Sequence, residues 1–427
     1  MRMPSSRIAL TRRAIIGTGL GTVLGARAAG AATGNAPEPV RIGAVLPLTG
    51  GSSKVGQGNQ DALETAADFI NYIASRFPLL GSNGAGLDGL GGAKIQLLFA
   101  DHGGNPAQAG AAAERLITRD NVAALIGTYQ SATAITVSDV AERHGIPFVS
   151  ADNSSPVLHR RGLKWFFRTG PHDEVFTDAM FAFLRSAGAR SGRPATSVAL
   201  FYEDSAFGIG SSGAQRAAAT QAGLRIAADI KYPPSAPSLA AEAQALRDAD
   251  ADVLLPSSYT ADAILLMQAF GGLGYRPRVI LAQAAGFQDS AFLSAAGRLA
   301  EGVFSRSSFA SDALRFRPGI LSVNEAFTER TGAGLNDDSA RQVVALQVLA
   351  GAINRAGSTG PAAIHAALAA TDLPGEETIM PWRGVRFDKH GQNTDATPVI
   401  QQVSEGAYRT VFPYELATRQ VAWGMQS

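Results

Sequence analysis

The 427-residue chain contains no cysteine. This absence excludes disulfide bonds, thiolate-bound zinc and a cysteine nucleophile. Without disulfides, we expect stability to come from large buried cores. The chain also has no excess of positive or negative charge, because 37 lysine and arginine residues balance 36 aspartate and glutamate residues and both kinds are dispersed. The pattern therefore indicates neither a basic face for nucleic acid nor a polybasic membrane anchor.

Catalytic and cofactor-binding motifs are scarce as well. The chain has no G-x-S-x-G, no H-E-x-x-H and no phosphate-binding Gly-Lys-Ser/Thr. Residues 84–89 match G-x-G-x-x-G, but they precede a predicted strand, whereas dinucleotide binding needs the motif to follow one. The six histidines are scattered singly, and Asp101 with His102 would need a distant carboxylate to hold a metal. We therefore expect a protein that is not an enzyme and has no cofactor or metal site.

The first 31 residues have the pattern of an export signal. Arg7, Arg12 and Arg13 precede an uncharged stretch, 14–26, which is too short and glycine-rich to span a bilayer, and small-residue cleavage sites follow it. The paired arginines after Thr11 favour the twin-arginine route over an ordinary secretory signal. We expect a soluble periplasmic protein that begins near residue 32 after cleavage.

From residue 40 onward, short apolar runs alternate with amphipathic segments, as is typical of a doubly wound α/β fold with parallel sheets. The predicted strands are 40–46, 94–100, 122–126, 147–150, 198–202, 224–232, 252–255 and 278–282. Predicted helices include 57–76, 106–119, 131–144, 174–187, 207–222 and 261–271. The units fall into two halves, one ending near residue 160 and the other running from about 174 to 297.

About 395 residues are more than one core usually serves, which predicts two domains. Residues 165–170 fit neither helical nor simple strand periodicity and are interpreted as a crossing between them. Beyond residue 305 we expect three helices (313–331, 337–356 and 361–370) and a β-rich tail (382–387, 398–403 and 408–413). The predicted lobe I is 40–167 with 306–380, and lobe II is 168–305 with 381–427. Three crossings, near residues 168, 305 and 381, would form the hinge.

Two predicted strand-to-helix junctions are rich in hydroxyl groups. The first, 127–133, contains Ser131 and Thr133, and the second, 150–156, contains Asn153 and Ser154. Ligands of open α/β sheets bind beyond the carboxyl ends of strands, and helix N-termini bind anions. Together the junctions can hold a carboxylate, although simple N-capping would favour the same residue types.

At these residues the chain resembles the type I periplasmic binding proteins, in the branch typified by the leucine/isoleucine/valine-binding protein. The order and spacing of several segments over nearly the whole mature chain carry the resemblance: 42–50, 99–101, 125–127, 146–150, 167–169, 300–302 and 385–391. It implies two α/β lobes that close over a small polar solute. It also implies a monomer that captures this solute for an ABC permease of the inner membrane.

The resemblance further implies the site. The carboxylate of a bound amino acid would be held by Ser131, Asn153 and Ser154 of the first lobe, with Thr133 nearby. Phe207, at the position of a family tyrosine, and Tyr259 would close over the ligand from the second lobe.

One departure concerns the strand end 282–286, where amino-acid binders of this branch place a carboxylate for the ammonium group. This chain has Ala285 there, and a charged hydrogen bond contributes about 1.5–3 kcal/mol. Gln283 can bond a neutral group instead, and Glu203, Asp204 or Asp152 can supply an acid from another strand end. We therefore expect the ligand to be an amino acid or a related small carboxylate or amide, with a urea-like solute or an aromatic acid as alternatives. Control of a partner by a periplasmic ligand sensor is the alternative to transport.

Overall fold

A computed structural model describes residues 36–73, 84–313 and 316–424. The predicted export signal and the end of the first predicted helix, 74–76, lie outside these ranges. The strands are β1 (Val40–Leu46), β2 (Ile95–Asp101), β3 (Ala124–Gly127), β4 (Phe148–Ser150), β5 (Phe166–Arg168), β6 (Ser197–Glu203), β7 (Arg225–Tyr232), β8 (Val253–Ser257), β9 (Val279–Ala282), β10 (Phe304–Ser307), β11 (Asp372–Pro374), β12 (Gly384–Arg386), β13 (Val399–Ser404) and β14 (Ala407–Phe412).

The α-helices begin and end close to recognisable sequence signals. They are α1 (Ser53–Asn71), α2 (Pro106–Thr118), α3 (Ser131–His144), α4 (Val157–Arg160), α5 (Asp173–Ser191), α6 (Ala206–Gln221), α7 (Ala240–Ala249), α8 (Thr260–Gly272), α9 (Ser290–Ala296), α10 (Gly319–Thr331), α11 (Asp337–Ala356) and α12 (Pro361–Ala369). Asn105 caps α2 by accepting from two backbone N–H groups, and Gly145 ends α3 with φ of 63°. Within the described ranges, no helix has the length and apolar character needed to cross a membrane.

The first sheet is parallel throughout, in the order β2-β1-β3-β4-β5. Ile42, Ala44 and Leu46 of β1 pack into a core with α1 and α10 to α12, whereas Val45 points into a core with α2 and α3. Because helices cover both faces, the strands are continuous apolar runs rather than alternating ones. We call this sheet with its helices lobe I.

The second sheet has the order β14-β13-β10-β9-β8-β6-β7. Its strands from β10 to β7 are parallel, and the antiparallel hairpin β13–β14 extends the edge at β10. One face packs against α7 to α9 and the other against α5 and α6. We call this sheet with its helices lobe II. The predicted α/β fold with two parallel-sheet lobes is thus confirmed.

The interpretation of residues 165–170 as a crossing was wrong in part, because Phe166–Arg168 forms β5 and pairs with β4. The two phenylalanines of this strand are buried on opposite sides of the sheet, so the sequence shows no alternation of apolar and polar residues that would predict a strand. The predicted helix 313–331 begins only at Gly319. Helix α7 was not predicted, since Ala243 and Leu246 are its buried residues and leave a weak apolar stripe.

The chain passes three times between the two sheets. The first passage follows β5 and the second follows β10. On the third, Trp382, Val385 and Ala396 still pack in a core of lobe I, and the Trp382 indole donates to the Ser308 carbonyl (3.0 Å). The chain therefore leaves lobe I after residue 396, later than the predicted position near 381.

Candidate ligand site between the lobes

Strand order places the candidate site in both lobes. The order of the first sheet reverses between β1 and β3, and that of the second reverses between β6 and β8. In doubly wound sheets the crevice at such a reversal, beyond the carboxyl ends of the strands, is where ligands bind. The predicted site residues follow β3 and β4 in lobe I and β6, β8 and β9 in lobe II, and the described structure brings these strand ends together across the cleft.

The two hydroxyl-rich junctions of lobe I are bonded to each other. Asn153 accepts from the Ser150 hydroxyl (2.7 Å) and donates through Nδ2 to the Tyr129 carbonyl (2.8 Å) and the Thr128 hydroxyl (3.2 Å). The Asn153 side chain therefore joins the loop after β3 to the loop after β4. The Thr133 hydroxyl donates to the Gln130 carbonyl (2.7 Å), so it stabilises the first turn of α3.

Ser131 is the first residue of α3 and is buried. Its hydroxyl accepts from the Ser155 backbone N–H at 3.4 Å, and its own backbone N–H faces the hydroxyl of Tyr259 in lobe II, where it opposes the rise in the tyrosine pKa that burial causes. Free N–H groups and the helix dipole make this N-terminus favourable for an acidic oxygen. A tyrosine oxygen from the opposite lobe holds that position here.

Three aromatic rings span the cleft. The Tyr259 ring lies between Tyr129 of lobe I and Phe207 of lobe II, with centroid distances of 5.4 and 5.3 Å. The Tyr129 hydroxyl is buried and has no hydrogen-bond partner among the described residues. We call these three rings the aromatic wall, and the unpaired Tyr129 hydroxyl lies at its lobe I end.

A second contact between the lobes involves Asp173, the first residue of α5. Its backbone N–H donates to the Ser154 carbonyl (2.9 Å), and Oδ1 of its carboxylate accepts from Gln283 Nε2 (2.9 Å), whereas Oδ2 has no hydrogen-bond partner among the described residues. Burial raises the pKa of Asp173, and the polar side chains of Ser154 and Gln283 oppose the rise. The Oε1 atom of Gln283 finds no partner within the described ranges. Ser154 and Gln283 therefore meet at Asp173.

A buried ionic network lies behind these loops. Asp152 accepts from Asn59 (2.8 Å) and Gln342 (2.6 Å), and burial raises its pKa well above the usual value. Arg341 of α11 donates to the Asp152 carbonyl (2.9 Å) and contacts two further carboxylates, those of Asp337 (2.9 Å) and Asp338 (2.7 Å). One guanidinium is thus shared among three acids.

The acids considered as replacements at the Ala285 position differ in placement. Asp204 is exposed and pairs with Lys231 (3.0 Å), so its charge is already compensated. Glu203 is buried, and burial raises its pKa to about 7. Ala285 itself begins a short 3₁₀ turn, Ala285–Gln288, that leads directly to Asp289.

The side chains of His159 and His172 also lie close together. Ligand atoms of His159, His172 and Glu174 lie within 4.8 Å of one another. Burial and nearby arginines lower the pKa of both histidines, to about 4 for His159 and about 3 for His172. However, Arg168 donates to His159 Nδ1 and Arg160 pairs with Glu174, so two guanidinium groups engage the lone pair and the carboxylate that a cation would need.

Residues 39–407 match the family model described as periplasmic binding protein. The chain belongs to this family. It is 30% identical over 412 residues to Leu/Ile/Val-binding protein homolog 8 of Brucella suis biovar 1, covering 95% of this chain and 97% of the relative. The suspected resemblance to the leucine/isoleucine/valine-binding branch is thereby confirmed.

Solved structures share the fold of this periplasmic binding protein. The branched-chain amino acid transporter substrate-binding protein LivJ of Streptococcus pneumoniae, in complex with isoleucine, has a TM-score of 0.74 at 18% identity, covering 88% of this chain and 99% of LivJ. An ABC transporter solute-binding protein of Rhodopseudomonas palustris BisB5, in complex with 3,4-dihydroxybenzoic acid, has a TM-score of 0.72 at 17% identity, covering 87% and 96%. At these identities the likeness establishes the fold alone. The family consists of extracytoplasmic proteins that bind small solutes for ABC transporters, and the relatives are not enzymes.

Several residues of the cleft were not predicted as site residues. Tyr129 stands within the hydroxyl-rich segment 127–133, and its position beside Ser131 was an available signal. Asp173, Asp289 and Asp338 lie on α5, before α9 and on α11, which meet only through the passages between the lobes. No local pattern of the sequence reports that proximity.

Proposed function

We propose that this periplasmic binding protein is the extracytoplasmic capture component of an ABC importer of the branched-chain-amino-acid type, and that it encloses a small carboxylate between its lobes. The observation that carries the proposal is the N-terminus of α3, where the buried Ser131 bonds the loop after β4 and the Tyr259 hydroxyl from the opposite lobe faces the Ser131 N–H. A solute carboxylate takes the place of that oxygen, with Ser131 and Ser154 as donors and Phe207 and Tyr259 as its cover. Both lobes then contact the solute, which is what lets it favour the closed form.

We further propose that the chain is exported by the twin-arginine route, cleaved near residue 32, and works as a monomer with an inner-membrane permease. The lobes hinge about the passages near 168 and 305 and the passage after 396. Closure about them forms the surface that the permease binds.

An aromatic acid is the second candidate solute. The wall of Tyr129, Tyr259 and Phe207 favours a planar ring, and Ala285 removes the carboxylate that an α-ammonium group would need at that strand end. The fold neighbour from R. palustris binds a solute of this kind. A thermal-shift screen of amino acids, amides, ureas and aromatic acids identifies the solute class, because a ligand at 100 times its Kd stabilises by about 2.7 kcal/mol.

The double variant Ser131→Ala with Ser154→Ala tests the site. We expect binding of the solute found in the screen to weaken by about tenfold or more in calorimetry, because two hydrogen bonds to a buried carboxylate are lost. The control is Thr118→Ala with Thr220→Ala, in which two exposed hydroxyls bond only the carbonyls of their own helices. Equal affinities for the double variant and the control would refute the proposed carboxylate site.

A further inference from the structure

A groove of about 630 Å³ opens between the lobes. Lobe I contributes residues of α1, α10 and α11, and lobe II contributes α8 and the start of α9. Three carboxylates line it, those of Asp61, Asp289 and Asp338, and Lys54, which is exposed, is the one basic residue in this described lining. The groove is therefore acidic and receives its charge from both lobes.

Asp338 of lobe I and Asp289 of lobe II are both buried, and the charge of Asp289 acts on Asp338 across the cleft. Arg341 bonds Asp338, but it shares its single charge with Asp152 and Asp337. Burial first, and then Asp337 and Asp289, raise the pKa of Asp338 to about 7 in spite of Arg341. Closing the lobes on two such carboxylates is unfavourable unless a proton or another cation accompanies them.

Tyr129 gives a second, independent indication that a cationic group binds here. It is only 5% exposed, its hydroxyl has no partner in the described structure, and Asp338, Asp289 and Asp152 all act on that hydroxyl. Its ring lies 5.4 Å from that of Tyr259. Aromatic faces next to carboxylates attract ammonium and guanidinium groups, and a free tyrosine oxygen accepts their hydrogens.

The position of Asp289, the acid of lobe II, is fixed by the turn at 284–288, where the chain departs from the family pattern. Ala284 and Ala285 have φ of 50° and 47°, and a side chain at Gly286 would lie 2.4 Å from the Tyr259 backbone, so the turn packs tightly against the start of α8. The turn ends at Asp289, whose carboxylate accepts from the Thr260 hydroxyl (2.9 Å) and from the Ala291 N–H (2.8 Å). The carboxylate lacking at residue 285 is thus present four residues later.

We propose that Asp289 and Asp338, with the Tyr129 hydroxyl, bind the cationic group of a solute whose carboxylate binds at the N-terminus of α3. This inference rests on the proposed function and names the solute class. Tyr129 stands two residues before Ser131, and the charges of Asp338 and Asp289 act on its hydroxyl. The cation is therefore several bonds from the carboxylate, as in an ω-amino or guanidino acid, and not on the α-carbon.

Calorimetry on the full mature chain tests the assignment with matched probes. 5-Aminopentanoate and 4-guanidinobutyrate carry a terminal cation, pentanoate is the neutral-tailed counterpart, and L-leucine and benzoate represent the other solute classes. We expect at least one cationic probe to bind about tenfold or more tightly than pentanoate, as for one buried charged hydrogen bond. Asp338→Asn and Asp289→Asn each abolish this preference, so that the cationic probes bind to each variant no more tightly than pentanoate does. Asp248→Asn, on the exposed face of α7, is the control.

Proton release is a separate readout. A cation beside Asp338 favours its ionised form, so binding at pH 7 releases a proton in the wild type and none in Asp338→Asn. The observed heat then depends on the ionisation enthalpy of the buffer only when Asp338 is present. Wild-type melting behaviour of both Asn variants confirms that they fold.

The outcomes separate the two proposals. If pentanoate, leucine or benzoate binds at least as tightly as the cationic probes and the Asn variants leave that order unchanged, the cation site is refuted while the carboxylate site stands. If no probe binds, both proposals fail.

Discussion

Glu203, at the end of β6, is a buried acid whose ionisation opposes folding. Burial, with a smaller contribution from Asp262, raises its pKa to about 7, although the Ser205 hydroxyl bonds it. Between pH 4.5 and 7 the folded protein therefore holds a proton that the unfolded chain has released. Stability falls as pH rises through this window, because the folded state binds more protons than the unfolded state.

Replacing Glu203 by Gln removes that charge and keeps the shape. We expect the variant to be more stable than the wild type at pH 8 by up to about 3 kcal/mol, since each pKa unit corresponds to about 1.4 kcal/mol. The difference should vanish near pH 4, where the carboxyl group is largely neutral in both states. Urea unfolding at pH 4, 6 and 8 measures it, with exposed Glu329→Gln as control. A gain of equal size at every pH would contradict this origin.

Single residues of the site were predicted unevenly from sequence. Ser131 and Ser154 lie at the ends of buried strands, where apolar runs and hydroxyl residues mark the junctions, and Tyr259 was placed by the family resemblance. Asn153 was expected from the family resemblance to hold the solute carboxylate, whereas its side chain bonds Thr128 and Tyr129, contacts that depend on the packing of two loops. Asp289 and Asp338 approach each other only because the chain returns to lobe I after β10, and no local pattern encodes that return.

Secondary-structure elements were easier to predict where burial is strong on both sides. Strand β1 and helix α3 occupy the predicted ranges, since a continuous apolar run and a helix-ending Gly145 mark them clearly. Strand β5 was missed because three residues are too few for a period. Packing of the neighbouring β4 and the cores on both faces, not its own propensity, makes it a strand.

Helix α6 contains three glycines with different surroundings. A side chain at Gly208 would lie 2.0 Å from the Glu203 carbonyl, whereas one at Gly213 meets nothing within 4 Å. We expect Gly213→Ala to stabilise the protein by about 0.5–1 kcal/mol, since glycine costs that much inside a helix. Gly208→Ala should instead destabilise it. Urea unfolding of both variants checks the pair, and a stabilised Gly208→Ala would contradict the described packing.

At the scale of the whole molecule, the described structure has the lobes together. Asp173 bonds Ser154 across the cleft, the aromatic wall joins both sides, and Gly210 of α6 faces the loop after β4. A side chain at Gly210 would lie 2.9 Å from the Ser155 hydroxyl and 3.1 Å from Pro156 of lobe I. The absence of a side chain here is therefore a condition for the lobes to meet.

Gly210→Val should impair closure, because a side chain at this position meets Ser155 and Pro156 of lobe I, besides the Asp173 carboxylate of lobe II at 3.2 Å. Gly213→Val is its matched control, because the same β-branched residue enters the same helix where nothing lies within 4 Å. We expect Gly213→Val to keep about the stability of the wild type without solute, because valine and glycine differ little in helix propensity, and only Gly210→Val to bind the solute about tenfold or more weakly, since closure is what the solute stabilises. In small-angle scattering, saturating solute should reduce the radius of gyration of Gly213→Val and leave Gly210→Val larger. If both variants became equally compact and bound the solute equally well, α6 and the loop after β4 would not need to approach this closely for capture. That result would contradict the proposed closure of the lobes at this contact.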